Sequence, residues 1–92
     1  MSEKEFTVRY TKQADRSLEK MDQRQRKIIL TWINEKLEGC DNPRKWGKAL
    51  EGERSPSWRY RVGKYRILAD ILDEEVIIFI FKIGARDKMY RR

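Results

Sequence analysis

From Trp58 to Ile83 the chain carries three runs of strand-forming residues with almost nothing between them. Trp58-Arg59-Tyr60-Arg61-Val62 alternates apolar and basic residues, as a strand with one buried face does. Gly63-Lys64 separates it from the run 65–72, and glycine first in so short a connection fits a type II′ hairpin turn. Asp73-Glu74-Glu75 then leads into the run 76–83. Connections of this length join antiparallel neighbours, because parallel strands need crossovers of roughly a dozen residues or more. An antiparallel meander is therefore predicted. Its last run is apolar at nearly every position, which predicts a central strand buried on both faces and ended by Gly84.

The N-terminal half has a different rhythm. Phe6, Val8 and Tyr10 alternate as in a half-buried strand, and from Thr11 the period becomes helical. Ala14, Leu18 and Met21 form one stripe, with Thr11 placed to cap the first turn. Asp22, with Gln25 three residues on, resembles a capping box and opens a second helix. There Ile29, Ile33 and Leu37 make a stripe, widened by Ile28 and Trp32, and Gly39 stands at the C-cap. Residues 39–57 form the only long irregular segment, pinned to the core by Trp46 and Leu50. The predicted fold is α+β, in the order β-α-α-β-β-β. A helical hairpin packs on one face of a largely antiparallel sheet and leaves the other face partly open. Ninety-two residues have room for one core, so residues 1–92 are read as a single domain.

Composition narrows the chemistry. The sequence contains no histidine and one cysteine, Cys40, so an intrachain disulfide is impossible and the usual zinc ligands are missing. No metal or other cofactor is expected. The usual acid–base residue of neutral pH is also gone, which leaves Arg, Lys, Tyr and carboxylates for any catalysis. The start, Met1-Ser2-Glu3-Lys4-Glu5, lacks the apolar stretch of a signal peptide. The longest apolar run, 76–81, is far too short to span a bilayer. A cytoplasmic protein without membrane association is expected.

The net charge is +7, and residues 41–70 contribute +4 of it, from eight basic and four acidic side chains. Such an excess points to a polyanionic partner. Arg66 falls mid-sheet on the second strand of the meander, where a guanidinium is pre-organised to grip phosphate through two parallel hydrogen bonds. An acid on a neighbouring strand is the alternative partner. Arg59 and Arg61 share one strand face about 7 Å apart, close to the spacing of successive phosphates, or else form a solvated face. Arg86 and Tyr90 follow the last strand, beside the same sheet, where Tyr90 either stacks a base or simply packs. Cations that position a backbone, with a tyrosine to stack a base, make an RNA-binding surface.

Several segments carry a family resemblance. They are 42–50, Trp58-Arg59-Tyr60-Arg61-Val62-Gly63-Lys64-Tyr65-Arg66-Ile67, and the tail from Ile83 to Arg92. With Tyr10-Thr11-Lys12-Gln13-Ala14 and the helical hairpin, the chain resembles the RelE/ParE toxin superfamily, and its RelE branch in particular. The resemblance implies a microbial-RNase-like fold. It also implies a toxin of a type II toxin–antitoxin system that enters the ribosomal A site and cuts mRNA. A RelB-like antitoxin is the implied inhibitor, with operator DNA bound only through the toxin–antitoxin complex. By position, Arg66, Arg86 and Tyr90 are the implied catalytic residues, and Arg59, Arg61, Lys48 and Lys64 the RNA-binding ones. The chain departs from many relatives in carrying Ala85 where they have histidine, and Lys48 near where some have glutamate. The general base is thus left among Tyr90, the free amine of Lys48 or Lys64, and a group of the ribosomal RNA. A gyrase-directed toxin of the ParE branch and a non-catalytic RNA-binding module are the competing functions on this fold.

Overall fold

The computed structural model describes residues 5–50 and 57–85. Strand β1 (Thr7–Tyr10) leads into helix α1 (Lys12–Lys20) and helix α2 (Gln23–Lys36). A 3-10 turn (Pro43–Lys45) and a short strand β2 (Lys48–Ala49) follow. The meander is β3 (Ser57–Val62), β4 (Tyr65–Leu72) and β5 (Ile77–Ala85). These strands form a five-stranded sheet in the order β1-β5-β4-β3-β2, antiparallel except where β1 runs parallel to β5.

Local chemistry sets the boundaries. The Thr11 hydroxyl accepts from the Ala14 N–H at 3.1 Å, and the Asp22 carboxylate accepts from the Gln25 N–H at 3.4 Å, so both predicted N-caps form. Gly63 opens the β3–β4 turn at φ +60, and Lys64 keeps a negative φ, as a type II′ turn requires. The core lies between helices and sheet. Ala14, Leu18, Ile29, Ile33 and Leu37 from the helices meet Tyr60, Val62, Ile67, Ala69, Ile71, Ile78, Ile80 and Ile83 from the strands.

The structure departs from the predicted fold in five places, three in the sheet and two on α2. The irregular segment 39–57 contains a strand, because Lys48 and Ala49 pair with Arg59 and Trp58. The run 76–83 does not supply the middle strand: β4 stands there, and β5 lies between β4 and the parallel edge strand β1. Gly84 does not end β5 but pairs with Arg66 inside it. Ile28 does not widen the buried stripe of α2 and is 48 % exposed. The α2 cap is Leu37, with Gly39 two residues beyond it. One irregularity decides which face each residue of β5 takes. The register steps from Leu68↔Lys82 to Ala69↔Ile80, so Phe81 is an extra residue in the strand, a β-bulge. Strict alternation from Ile80 would turn Lys82 into the core. The bulge instead leaves Lys82 exposed and buries Ile83.

Candidate functional site

Antiparallel pairing puts directly opposed residues on the same face of a sheet. The register Arg61↔Arg66, Arg59↔Leu68 and Lys48↔Arg59 therefore places Lys48, Arg59, Arg61 and Arg66 together on the face away from the helices. These side chains, with Gly47 and Tyr60, line a cleft of about 300 Å³. Two of the opposed pairs, Arg61–Arg66 and Lys48–Arg59, bring like charges face to face, an arrangement that destabilises a sheet by itself. An anion in the cleft would relieve both. Among the described lining residues none is a carboxylate, and the residues directly opposite Arg66 on the ladder are Arg61 and Gly84.

The cations differ in setting. Arg66 is 5 % exposed, Arg59 is half-buried, and Arg61 and Lys48 stand in solvent. Lys64 occupies the β3–β4 turn, is exposed, and does not line the cleft. Arg86 and Tyr90 lie outside the described residues. Lys82, opposite Leu68 on the same open face, is a further cation that its apolar surroundings in the sequence concealed.

Residues 42–47 bring Lys48 to the cleft. The Asn42 side chain accepts from the Arg44 N–H at 3.1 Å and starts the 3-10 turn, with Pro43 buried. The Tyr60 hydroxyl donates to the Pro43 carbonyl at 2.7 Å. Burial is the main force that pushes the Tyr60 hydroxyl above its ordinary pKa, so it stays protonated as a donor. The Trp58 indole N–H donates to the Trp46 carbonyl at 2.6 Å, and Trp46 packs edge-on to Trp32. Gly47, at φ +78, then passes directly against β3. A Cβ there would collide with the Arg59 carbonyl oxygen and crowd the Tyr60 ring. Only glycine fits this crossing, a requirement the sequence did not display. Trp46 packs on the core as predicted, and Leu50 is half-buried.

The cleft can bind phosphate and stabilise charge that grows on it, since fixed guanidinium groups need no reorganisation. Among the described residues, no group of three or more His, Cys, Asp or Glu side chains could hold a metal ion. None of the described helices is long and apolar enough to cross a membrane.

The chain is similar to known proteins over most of its length. Residues 8–90 match the family described as "ParE toxin of type II toxin-antitoxin system, parDE". The chain is 35 % identical over 89 residues to Toxin RelG of Mycobacterium tuberculosis, covering 95 % of this chain and 98 % of that one. Its fold matches the toxin–antitoxin complex RelBE2 of M. tuberculosis with a TM-score of 0.77, 28 % identity and coverage of 92 % and 95 %. It also matches the archaeal RelE–RelB complex of Pyrococcus horikoshii, with a TM-score of 0.70, 25 % identity and coverage of 88 % and 94 %. The isolated E. coli RelE toxin shares the fold, with a TM-score of 0.72 at 20 % identity, covering 87 % of this chain and 83 % of that one. With a family match across the cleft and both helices, this chain belongs to the RelE/ParE superfamily of type II toxin–antitoxin toxins.

Proposed function

We propose that the chain is a metal-independent, ribosome-dependent endoribonuclease that cuts mRNA in the A site and so inhibits translation. The observation that carries this reading is the cleft of Lys48, Arg59, Arg61 and Arg66, where cations from β2, β3 and β4 are held face to face on one side of the sheet. Its chemistry is in-line attack by a ribose 2′-oxygen on the adjacent phosphorus. The 2′-proton passes to a base, the bond to the 5′-oxygen breaks, and that oxygen takes up a proton. The products are a 2′,3′-cyclic phosphate and a free 5′-hydroxyl. Arg66, with Arg86 from the tail, stabilises the negative charge of the transition state. Arg59, Arg61, Lys48 and Lys64 hold the RNA backbone. An arginine is too weak an acid to serve as base, so the proton goes to Tyr90, to the amine of Lys48 or Lys64, or to ribosomal RNA. A site that relies on charge and orientation is feeble on free RNA, which accounts for dependence on the ribosome.

A RelB-like antitoxin in the cytoplasm is the inhibitor in this reading, supported by the relatives solved as RelB–RelE complexes. Operator DNA is reached only through that complex. The ParE description of the matching family favours one second reading, a toxin that poisons DNA gyrase through protein contact. Primer extension on mRNA from translating ribosomes separates the two. Cuts within codons are expected. Gyrase-dependent DNA breaks without RNA cuts would transfer the assignment to the second reading, and neither outcome would leave a non-catalytic RNA-binding module.

A further inference from the structure

Lys48 enters the cleft from a strand of only two residues, and the next ladder bond, from the Leu50 N–H to the Ser57 carbonyl, is long at 3.4 Å. A pairing that short is marginal by itself. Among the described residues, further contacts that place the lysine lie upstream, at the 3-10 turn. There the Arg44 guanidinium donates twice to Asp73, from Nη1 to Oδ1 at 3.1 Å and from Nη2 to Oδ2 at 2.9 Å. Asp73 starts the β4–β5 turn, 29 residues away in sequence, so the grip ties two separate loops together. Both side chains are well exposed, at 38 % and 51 %, and exposed ion pairs add little to stability. The planar fork does fix direction, however. It holds the guanidinium 5.9 Å from the centre of the Trp58 ring, whose N–H grips Trp46, two residues before Lys48.

We propose that Arg44 and Asp73 are positioning residues, a clamp outside the cleft that sets Lys48 opposite Arg59 through Trp58, Trp46 and Gly47. The proposal rests on the reading of the cleft as a phosphate site. It predicts an effect opposite in sign to simple electrostatics. Asp73→Asn removes a negative charge and should by charge alone tighten RNA binding. Through the clamp it weakens binding, because Lys48 loses its placement. Arg44→Lys keeps the charge but cannot form the fork, and behaves in the same way.

The test measures binding of a fully 2′-O-methylated RNA oligonucleotide, which cannot be cleaved by 2′-attack, together with amide hydrogen exchange. Lys48→Ala is expected to weaken binding and to lower the salt slope by about 0.7, the value for one contact on a single strand. Asp73→Asn and Arg44→Lys should each reproduce much of that loss, and neither should add to it in a Lys48→Ala background. The Leu50 amide should exchange about tenfold faster in both variants, while amides of the β3–β4 ladder keep wild-type protection. Wild-type or tighter binding by Asp73→Asn overturns the proposal, as do losses fully additive with Lys48→Ala. If the wild-type protein binds no oligonucleotide, the phosphate reading of the cleft fails, and unchanged Leu50 exchange would then overturn the clamp separately.

Discussion

Arg66 and Arg61 face each other across the β3–β4 ladder, yet one is 5 % exposed and the other stands in solvent. That difference separates their roles. A guanidinium fixed in a poorly hydrated setting is suited to charge that appears only in the transition state. Exposed cations attract and align the backbone, with a strength that salt screens. Arg66→Ala should therefore lower the single-turnover cleavage rate on saturated ribosomes by about 10²–10³-fold, with ribosome affinity mostly kept. Arg59→Ala and Arg61→Ala should mainly weaken binding and reduce its salt slope by about 0.7 each. Wild-type cleavage by bound Arg66→Ala would make that residue structural. Tyr10 offers a residue-scale check on the fold itself. Burial, then the charges of Asp15 and Glu38, push its hydroxyl up to about 12 from an ordinary 10.0. A pKa raised by folding stabilises the native state below the unfolded value, and that contribution is lost as pH rises from about 10 to about 12. In an alkaline titration followed by tyrosinate absorbance, Tyr10→Phe should remove amplitude near pH 12 and move alkaline unfolding to higher pH. Amplitude lost near pH 10 instead would contradict this packing of Tyr10.

Among the elements, β2 is the smallest and the one on which the cleft most depends. Gly47 precedes it at φ +78, pressed against the Arg59 carbonyl. Gly47→Ala adds a strained left-handed conformation, costing about 1–2 kcal/mol, to a backbone collision. Total destabilisation of about 2 kcal/mol or more is expected, lowering Tm by roughly 8–16 °C in a domain of this size. RNA binding should fall by at least as much as in Lys48→Ala, because β2 leaves β3. A Tm within a degree of wild type would show that the close approach is not required. This element also marks the limit of what the sequence reveals. The meander, both helices and their N-caps were legible, since periodicity and capping act over a few residues. So was the shared face of Arg59 and Arg61. The β2 strand was not, because two residues carry no periodicity and their pairing is made by tertiary contacts of Trp46, Trp58 and Tyr60. The bulge at Phe81 was hidden for a similar reason: in a run of apolar residues, nothing announces which one is extra. Ile28 went wrong because position on a helical stripe does not say how far the sheet extends beneath it.

At the scale of the whole molecule, the fold divides its surfaces by task. The helices bury one side of the sheet, and the other side carries the cationic cleft on β2, β3 and β4. Beyond the cleft, the same open side presents Phe79, an exposed aromatic that faces Arg9 across the β1–β5 ladder. A partner that silences the cleft by covering it must therefore satisfy charge at one end and apolar surface at the other. An acidic, partly apolar antitoxin segment lying across the open side meets both demands. The net charge of +7 acts before contact, by steering, and steering fades with ionic strength. The association rate of toxin and antitoxin should therefore fall steeply as salt rises, while dissociation changes little. Reversing exposed charge in Arg61→Glu should slow association further and flatten its salt dependence. Reversing a cation on the helical side, as in Lys27→Glu, should have a smaller effect, although both variants change net charge equally. Stopped-flow mixing over a salt series distinguishes these cases. Equal slowing by the two variants would mean that net charge alone steers the encounter. Faster loss of association with Lys27→Glu would put the partner on the helices and leave the cleft uncovered in the complex.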